Sequence, residues 1–183
     1  TPPALYLKLA QPGPAKGAMS CLLESVVGGE RFGRYSFIGL PARAFLRTHG
    51  TVTEVVEDGI VTETHDGDPL AFVADYQKRF KVALRPGMPR FIGGLAGYFG
   101  YDMVRHIEKK LGPCTKPDPA GMGDPVPDML LLLIDELAIV DNLTGRLYLV
   151  VYADPSLPEA YPRARNRLRD LRAQLRKPAE IPY

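Results

Sequence analysis

The chain has 183 residues, 45% of them hydrophobic and 24% charged, with a formal net charge of +2. That length allows one domain with a sizeable core, and so small a net charge gives no reason by itself to expect a nucleic-acid or membrane partner. No apolar run approaches the ~20 residues needed to span a bilayer, and Thr1-Pro2-Pro3 does not open like a signal peptide.

Ala4 to Leu9 is a short apolar segment, helix or strand, broken by Gln11-Pro12-Gly13-Pro14. Met19 to Ser25 reads as a buried strand. Tyr35 to Leu40 and Ala44 to Thr48 read as the next two strands, separated by Pro41. Thr51 to Glu57 and Ile60 to Thr64 flank Asp58-Gly59, a strong hairpin signal because both central residues of the favoured turn need positive φ. Asp68-Pro69 should open a helix, Asp as cap and Pro in the first turn, with Leu70, Val73, Tyr76 and Phe80 on its apolar face.

Phe91 to Tyr101 alternates aromatics and glycines at strand-like spacing, and Asp102 to Lys110 starts a short helix. Its glycines, Gly93, Gly94, Gly97 and Gly100, predict bends or close backbone approach in a sheet. Gly112 to Pro127, rich in proline and glycine, is an irregular loop. Met129 to Val140 and Arg146 to Tyr152 form a second hairpin, with strands buried on both faces or nearly so. Ser156 to Glu159 has capping-box spacing. The helix that follows carries Ala164, Leu168, Leu171 and Leu175 on one stripe and six arginines elsewhere. Strands, helix, strands, helix with two hairpins predict an α+β fold, mostly antiparallel sheet in a sandwich-like arrangement with flanking helices. Residues 1–177 read as one domain and 178–183 as the start of a linker.

Most chemistries find no support. His49, His65 and His106 stand alone as surface histidines, outside any metal-ligand spacing. The glycine-rich run from Gly93 lacks the Gly-Lys-Ser/Thr ending of a P-loop and the dinucleotide fingerprint. There is no Gly-x-Ser-x-Gly elbow. Asp135-Glu136 would point to opposite faces of a strand, so they make no acid–base pair. The arginines of the last helix are its solvated or interdomain face rather than a nucleic-acid surface. Cys21 and Cys114 make neither a Cys-x-x-Cys pair nor a disulfide framework, so a reduced, cytoplasmic setting is the simplest expectation. Asn142-Leu143-Thr144 is a turn rather than a glycosylation site. No catalytic residue and no metal ligand is expected.

What remains is Leu22-Leu23-Glu24-Ser25, followed by Gly28-Gly29-Glu30-Arg31-Phe32-Gly33-Arg34-Tyr35-Ser36-Phe37-Ile38-Gly39. On spacing alone a plain strand end, with Glu24 and Ser25 capping the next segment, is the better reading, since four residues make a weak motif. The two blocks together resemble the amino-terminal region of the large, component I subunit of anthranilate synthase. Pro2 to Leu9, the run from Phe91 through Tyr101-Asp102 to Arg105, Pro127 to Asp141 and Leu147 to Ala153 resemble that family too, so the likeness covers nearly the whole chain.

The resemblance implies a regulatory domain of an enzyme that makes anthranilate and pyruvate from chorismate and ammonia. It implies that Ser25, with Glu24, Leu23, Arg34 and Tyr35, forms half of a tryptophan feedback site. The other half, a Pro-Tyr-Met segment, would lie in a carboxy-terminal catalytic domain missing from this chain, as would the residues for Mg2+. It also implies a glutamine amidotransferase subunit as partner, and no synthase activity for these residues alone. Two alternatives stay open: the same region of aminodeoxychorismate synthase component I, or a free-standing small-molecule-binding or interaction module. The absence of an initiator Met implies that Thr1 is not the natural start.

Overall fold

The computed structural model describes residues 1–10, 18–24, 33–112 and 126–178. In chain order the helices and strands are α1 (Pro2–Leu9), β1 (Met19–Leu23), β2 (Tyr35–Ala42), β3 (Ala44–His49), β4 (Val52–Glu57), β5 (Ile60–Asp66), α2 (Pro69–Gln77), β6 (Gly94–Phe99), α3 (Val104–Ile107), β7 (Met129–Ile134), β8 (Glu136–Asp141), β9 (Arg146–Val151) and α4 (Ala160–Leu175). One-turn 3-10 helices, Tyr101–Met103 and Lys109–Leu111, flank α3. The α+β expectation holds. The contacts divide the chain into two compact units.

The first unit comprises Thr1–Ala42, Gly87–Gly94 and Ile134–Tyr183. Its sheet runs β1-β2-β8-β9, each neighbouring pair antiparallel. Side chains alternate along β2. Ile38 and Leu40 join Leu9 and Ala10 from α1, Ala138 from β8 and Leu171 from α4 in one core, while Tyr35 and Phe37 take the opposite face. α1 forms because Thr1 caps it, accepting from the Ala4 N–H, and because two prolines suit a first turn.

The second unit comprises Arg43–Pro86 and Leu95–Leu133, and its sheet runs β5-β4-β3-β7-β6. Asp58 and Gly59 both have positive φ, as the β4–β5 hairpin requires. The Asp68 carboxylate accepts from the Leu70 and Ala71 N–H groups to start α2. The core gathers Leu46 and Val55 from the central strands, Phe72, Val73 and Tyr76 from α2, and Met103, Met129 and Leu131. A Cβ on Gly97 would run into the Leu130 carbonyl oxygen and one on Gly100 would crowd that of Asp128, so the expected close backbone approach is real at these positions, while Gly94 faces open space.

Several elements differ from expectation. β1 is an edge strand without a single buried residue, because nothing pairs with its outer side among the described residues. Pro41 lies inside β2, and the break before β3 comes at Arg43. α2 ends at Gln77, so Phe80 falls outside it and Phe72 takes the buried place. The strand in the aromatic and glycine run is only Gly94–Phe99. The apolar run from Met129 is two strands split at Asp135, β7 in one sheet and β8 in the other, so only β8 and β9 form the hairpin. Ser156 does not cap α4. Its N–H and hydroxyl both donate to Asp154, and Glu159 at positive φ precedes the helix. His65 is not a bare surface histidine, since it stacks on Phe72 at 4.9 Å between ring centroids.

Candidate functional site

Of the residues singled out by sequence, Leu23 and Glu24 lie at the end of β1, and Arg34 and Tyr35 at the start of β2. Leu23 closes β1 opposite Phe37 of β2. Directly opposed residues on neighbouring strands share a face, so Leu23 stands on the Tyr35 and Phe37 side of the sheet, away from α1 and α4. The Phe37 ring lies 6.0 Å from that of Tyr35 and meets Phe91 edge to face at 5.3 Å. Together they make an aromatic and aliphatic wall. Glu24 is exposed just beyond the strand. Ser25 lies outside the described residues, as does Cys114. Cys21 is a free thiol whose pKa is pushed up by burial.

Arg34 and Tyr35 sit at the start of β2, held by the β8–β9 turn. The Arg34 guanidinium donates twice to Asp141, Nε to Oδ1 at 3.2 Å and Nη2 to Oδ2 at 3.0 Å, and its centre lies 4.9 Å from the Tyr35 ring centroid. The Asp141 side chain is 1% exposed against 39% for Arg34. The same carboxylate accepts from the Leu143 and Thr144 N–H groups, which closes the turn. Asn142 continues the clamp. Its backbone N–H donates to the Arg34 carbonyl, and its side-chain amide donates to the Gly33 carbonyl and the Ser36 hydroxyl.

The electrostatics follow the geometry. The Arg34 guanidinium beside it, together with hydrogen bonds from Thr144, holds the Asp141 carboxyl well below the usual carboxylate range, although burial alone would raise it. Asp141 in turn raises Arg34 further above its ordinary value. A carboxylate that accepts four N–H bonds and is shut off from solvent is a structural anchor, and the pair fixes how the chain enters β2.

Sequence reasoning singled out Leu23, Arg34 and Tyr35 but not the residues packed around them. Phe37 and Phe91 join the wall only through strand pairing and a residue from a distant stretch. Asp141 and Asn142 carried one signal, a turn of type Asp-Asn-x-Thr-Gly, which says nothing of a partner over a hundred residues upstream. Among the described residues no group of three or more His, Cys, Asp or Glu side chains could hold a metal ion. No helix among them is long and apolar enough to cross a membrane.

The class is therefore an α+β protein of two antiparallel sheets, with its candidate site at a sheet-edge strand end beside a clamped neighbouring strand. No family model matches the chain. It is 52% identical over 185 aligned residues to anthranilate synthase component 1 of Neisseria meningitidis, covering 100% of this chain and 36% of that protein. It is 49% identical over 180 residues to anthranilate synthase component 1 of Pseudomonas putida, covering 97% of this chain and 34% of that protein. A crystal structure of anthranilate synthase component I from Streptococcus pneumoniae shares the fold, with a TM-score of 0.55 and 22% identity over 94% of this chain and 33% of that one. Along its whole length the chain is a relative of the amino-terminal portion of anthranilate synthase component 1. It spans about a third of the length of those curated relatives.

Proposed function

We propose that this chain is the amino-terminal, regulatory portion of an anthranilate synthase component I acting in the cytoplasm. The end-to-end likeness to anthranilate synthase component 1 carries this reading. In the longer protein chorismate and ammonia become anthranilate and pyruvate, with ammonia supplied from glutamine by an amidotransferase subunit. Magnesium would offset the charge of the substrate carboxylate there. In this reading its ligands lie in the carboxy-terminal portion, and these residues alone make no anthranilate.

This portion supplies half of a tryptophan site. Ser25 hydrogen-bonds a charged end of the amino acid, and Glu24 or the nearby backbone accepts from its ammonium. Leu23 and Tyr35, with Phe37 behind them, give the indole an apolar wall. Arg34, committed to Asp141, holds that wall in register. Tryptophan bound here and to the carboxy-terminal portion favours an arrangement unable to complete catalysis, a coupling of about 1–3 kcal/mol.

The test uses the full-length protein with chorismate, magnesium and ammonia, following anthranilate fluorescence with and without tryptophan. A hydrogen bond to a charged group is worth about 1.5–3 kcal/mol, so Ser25→Leu should weaken inhibition roughly ten- to a hundredfold. Anthranilate formation with inhibition unchanged in Ser25→Leu removes the regulatory assignment and keeps the enzyme. No anthranilate at all makes aminodeoxychorismate synthase the better reading.

A further inference from the structure

The second unit presents an apolar platform that its own core does not use. Leu70, Phe99, Tyr101, Met103, Val104 and Ile107 line a groove of ≈ 380 Å³. Met103 anchors it in the core, yet Tyr101 is 90% exposed, Ile107 73% and Phe99 53%. Isolated exposed apolar residues are ordinary, but a contiguous group of this kind marks a contact surface.

Hydrogen bonds hold the backbone of the platform. Arg105 ties its short helix down, donating from Nε to Asp102 and from Nη1 to the Leu111 and Gly112 carbonyls. The Gly100 N–H donates to the Asp128 carbonyl at 2.6 Å, and the Tyr98 hydroxyl donates to that of Pro127 at 3.1 Å. An aromatic side chain held out on a fixed backbone loses little freedom on binding, which is the character of an interface anchor.

A second, independent feature adjoins it. β6 is one edge of the five-stranded sheet among the described residues. The opposite edge, β5, carries Glu63, His65 and Asp66, and such charges discourage pairing with another strand. β6 reads Gly-Leu-Ala-Gly-Tyr-Phe, with neither charge nor proline, and most of it is exposed. An uncharged edge beside an apolar groove suits an added strand with apolar side chains beside it.

This chain's own residues 113–125 have the wrong chemistry for the role. They include four prolines, and Met122 is their one large aliphatic side chain. The relatives, by contrast, extend to about three times this length. We propose that the Phe99–Ile107 platform and the β6 edge are the docking surface for the carboxy-terminal portion of the same polypeptide, which contributes an edge-pairing strand and apolar side chains over Tyr101. This rests on the reading of the chain as the amino-terminal portion of a longer synthase.

The test places a benzophenone amino acid at Tyr101 of the full-length protein, in a mixture of isotopically light and heavy copies. After photolysis the linked peptides are identified by mass spectrometry. The expected product joins position 101 to a peptide beyond residue 183, with both halves carrying the same label. Mixed-label links to a second copy, links to another protein, links to residues 113–125, or no link at all each overturn the proposal. If the Tyr101 variant does not accumulate, Ile107 takes the same probe and the same outcomes apply. Anthranilate formation is measured on the same preparation. A preparation that makes anthranilate but gives none of the expected link sinks this inference alone, whereas one that makes none sinks the functional reading beneath it.

Discussion

Each unit of the molecule holds a bidentate arginine–aspartate pair beside a hairpin turn, and the two do different things. In the second unit Arg43 meets Asp58 at 3.0 and 2.6 Å, with both side chains mostly in solvent. In the first, Arg34 meets Asp141 at 3.2 and 3.0 Å, and the carboxylate is buried. The exposed pair has the shorter contacts and the smaller consequence. Water screens it, and the Asp58-Gly59 turn is already dictated by backbone conformation. The buried carboxylate organises two turn amides and the start of β2, so losing it strands an arginine and opens a turn. Contact distance alone ranks these pairs wrongly. Burial and the number of groups that depend on the carboxylate rank them correctly.

The sharpest way to break the comparison is Asp141→Ala. We expect its melting temperature to fall by roughly 5 °C or more, against no measurable fall for Asp58→Asn, which removes the charge but tolerates the positive φ of that position, in parallel thermal melts. Equal losses would mean that burial does not separate the two pairs. The acid limb should follow the same order. Asp141 has its pKa depressed in the folded state, so its contribution is present above its ordinary value of 3.8 and is lost as the pH falls below that value. Urea melts of the wild type and Asp141→Asn should therefore converge as the pH is lowered beneath about 4.

A smaller effect is expected at the turn itself. Gly59 sits at φ +82 with open space where a Cβ would go, so Gly59→Ala isolates the backbone cost, about 1–2 kcal/mol by urea titration. A larger cost for Gly59→Ala than for Asp58→Asn would show that conformation, not the ion pair, holds this hairpin. Arg34→Lys sharpens the other side. Lysine keeps the charge but not the fork, so it should lose less stability than Asp141→Ala. On the function proposed above, it should also weaken tryptophan inhibition of the full-length protein by a few-fold without moving the KM for chorismate.

Much of the fold was legible because it rests on local rules. The β4–β5 hairpin follows from Asp58-Gly59, the start of α2 from Asp68-Pro69, and the tight approach at Gly97 from glycine spacing in an aromatic strand. The site was half legible. Leu23, Arg34 and Tyr35 lie in one recognisable stretch, whereas Phe37, Phe91, Asp141 and Asn142 reach it through pairing and turn contacts that no local pattern encodes. Three of the expectations that failed, the capping role of Ser156, Phe80 on α2 and a single strand from Met129 to Val140, failed where a neighbour competed. Asp154 took the Ser156 hydroxyl, Phe72 filled the place beneath α2, and a bend at Asp135 divided one apolar run between two sheets.

The sequence by itself therefore determined the secondary-structure alphabet, the hairpins and the family resemblance, because caps, turn residues and alternation act over a few residues. Only the tertiary structure decided that Asp141 is the anchor of Arg34, that β1 and β6 are edges among the described residues, and that Tyr101 stands exposed beside an apolar groove. Those depend on which strands pair and on what burial does to a charge, and neither quantity exists until the chain has closed on itself.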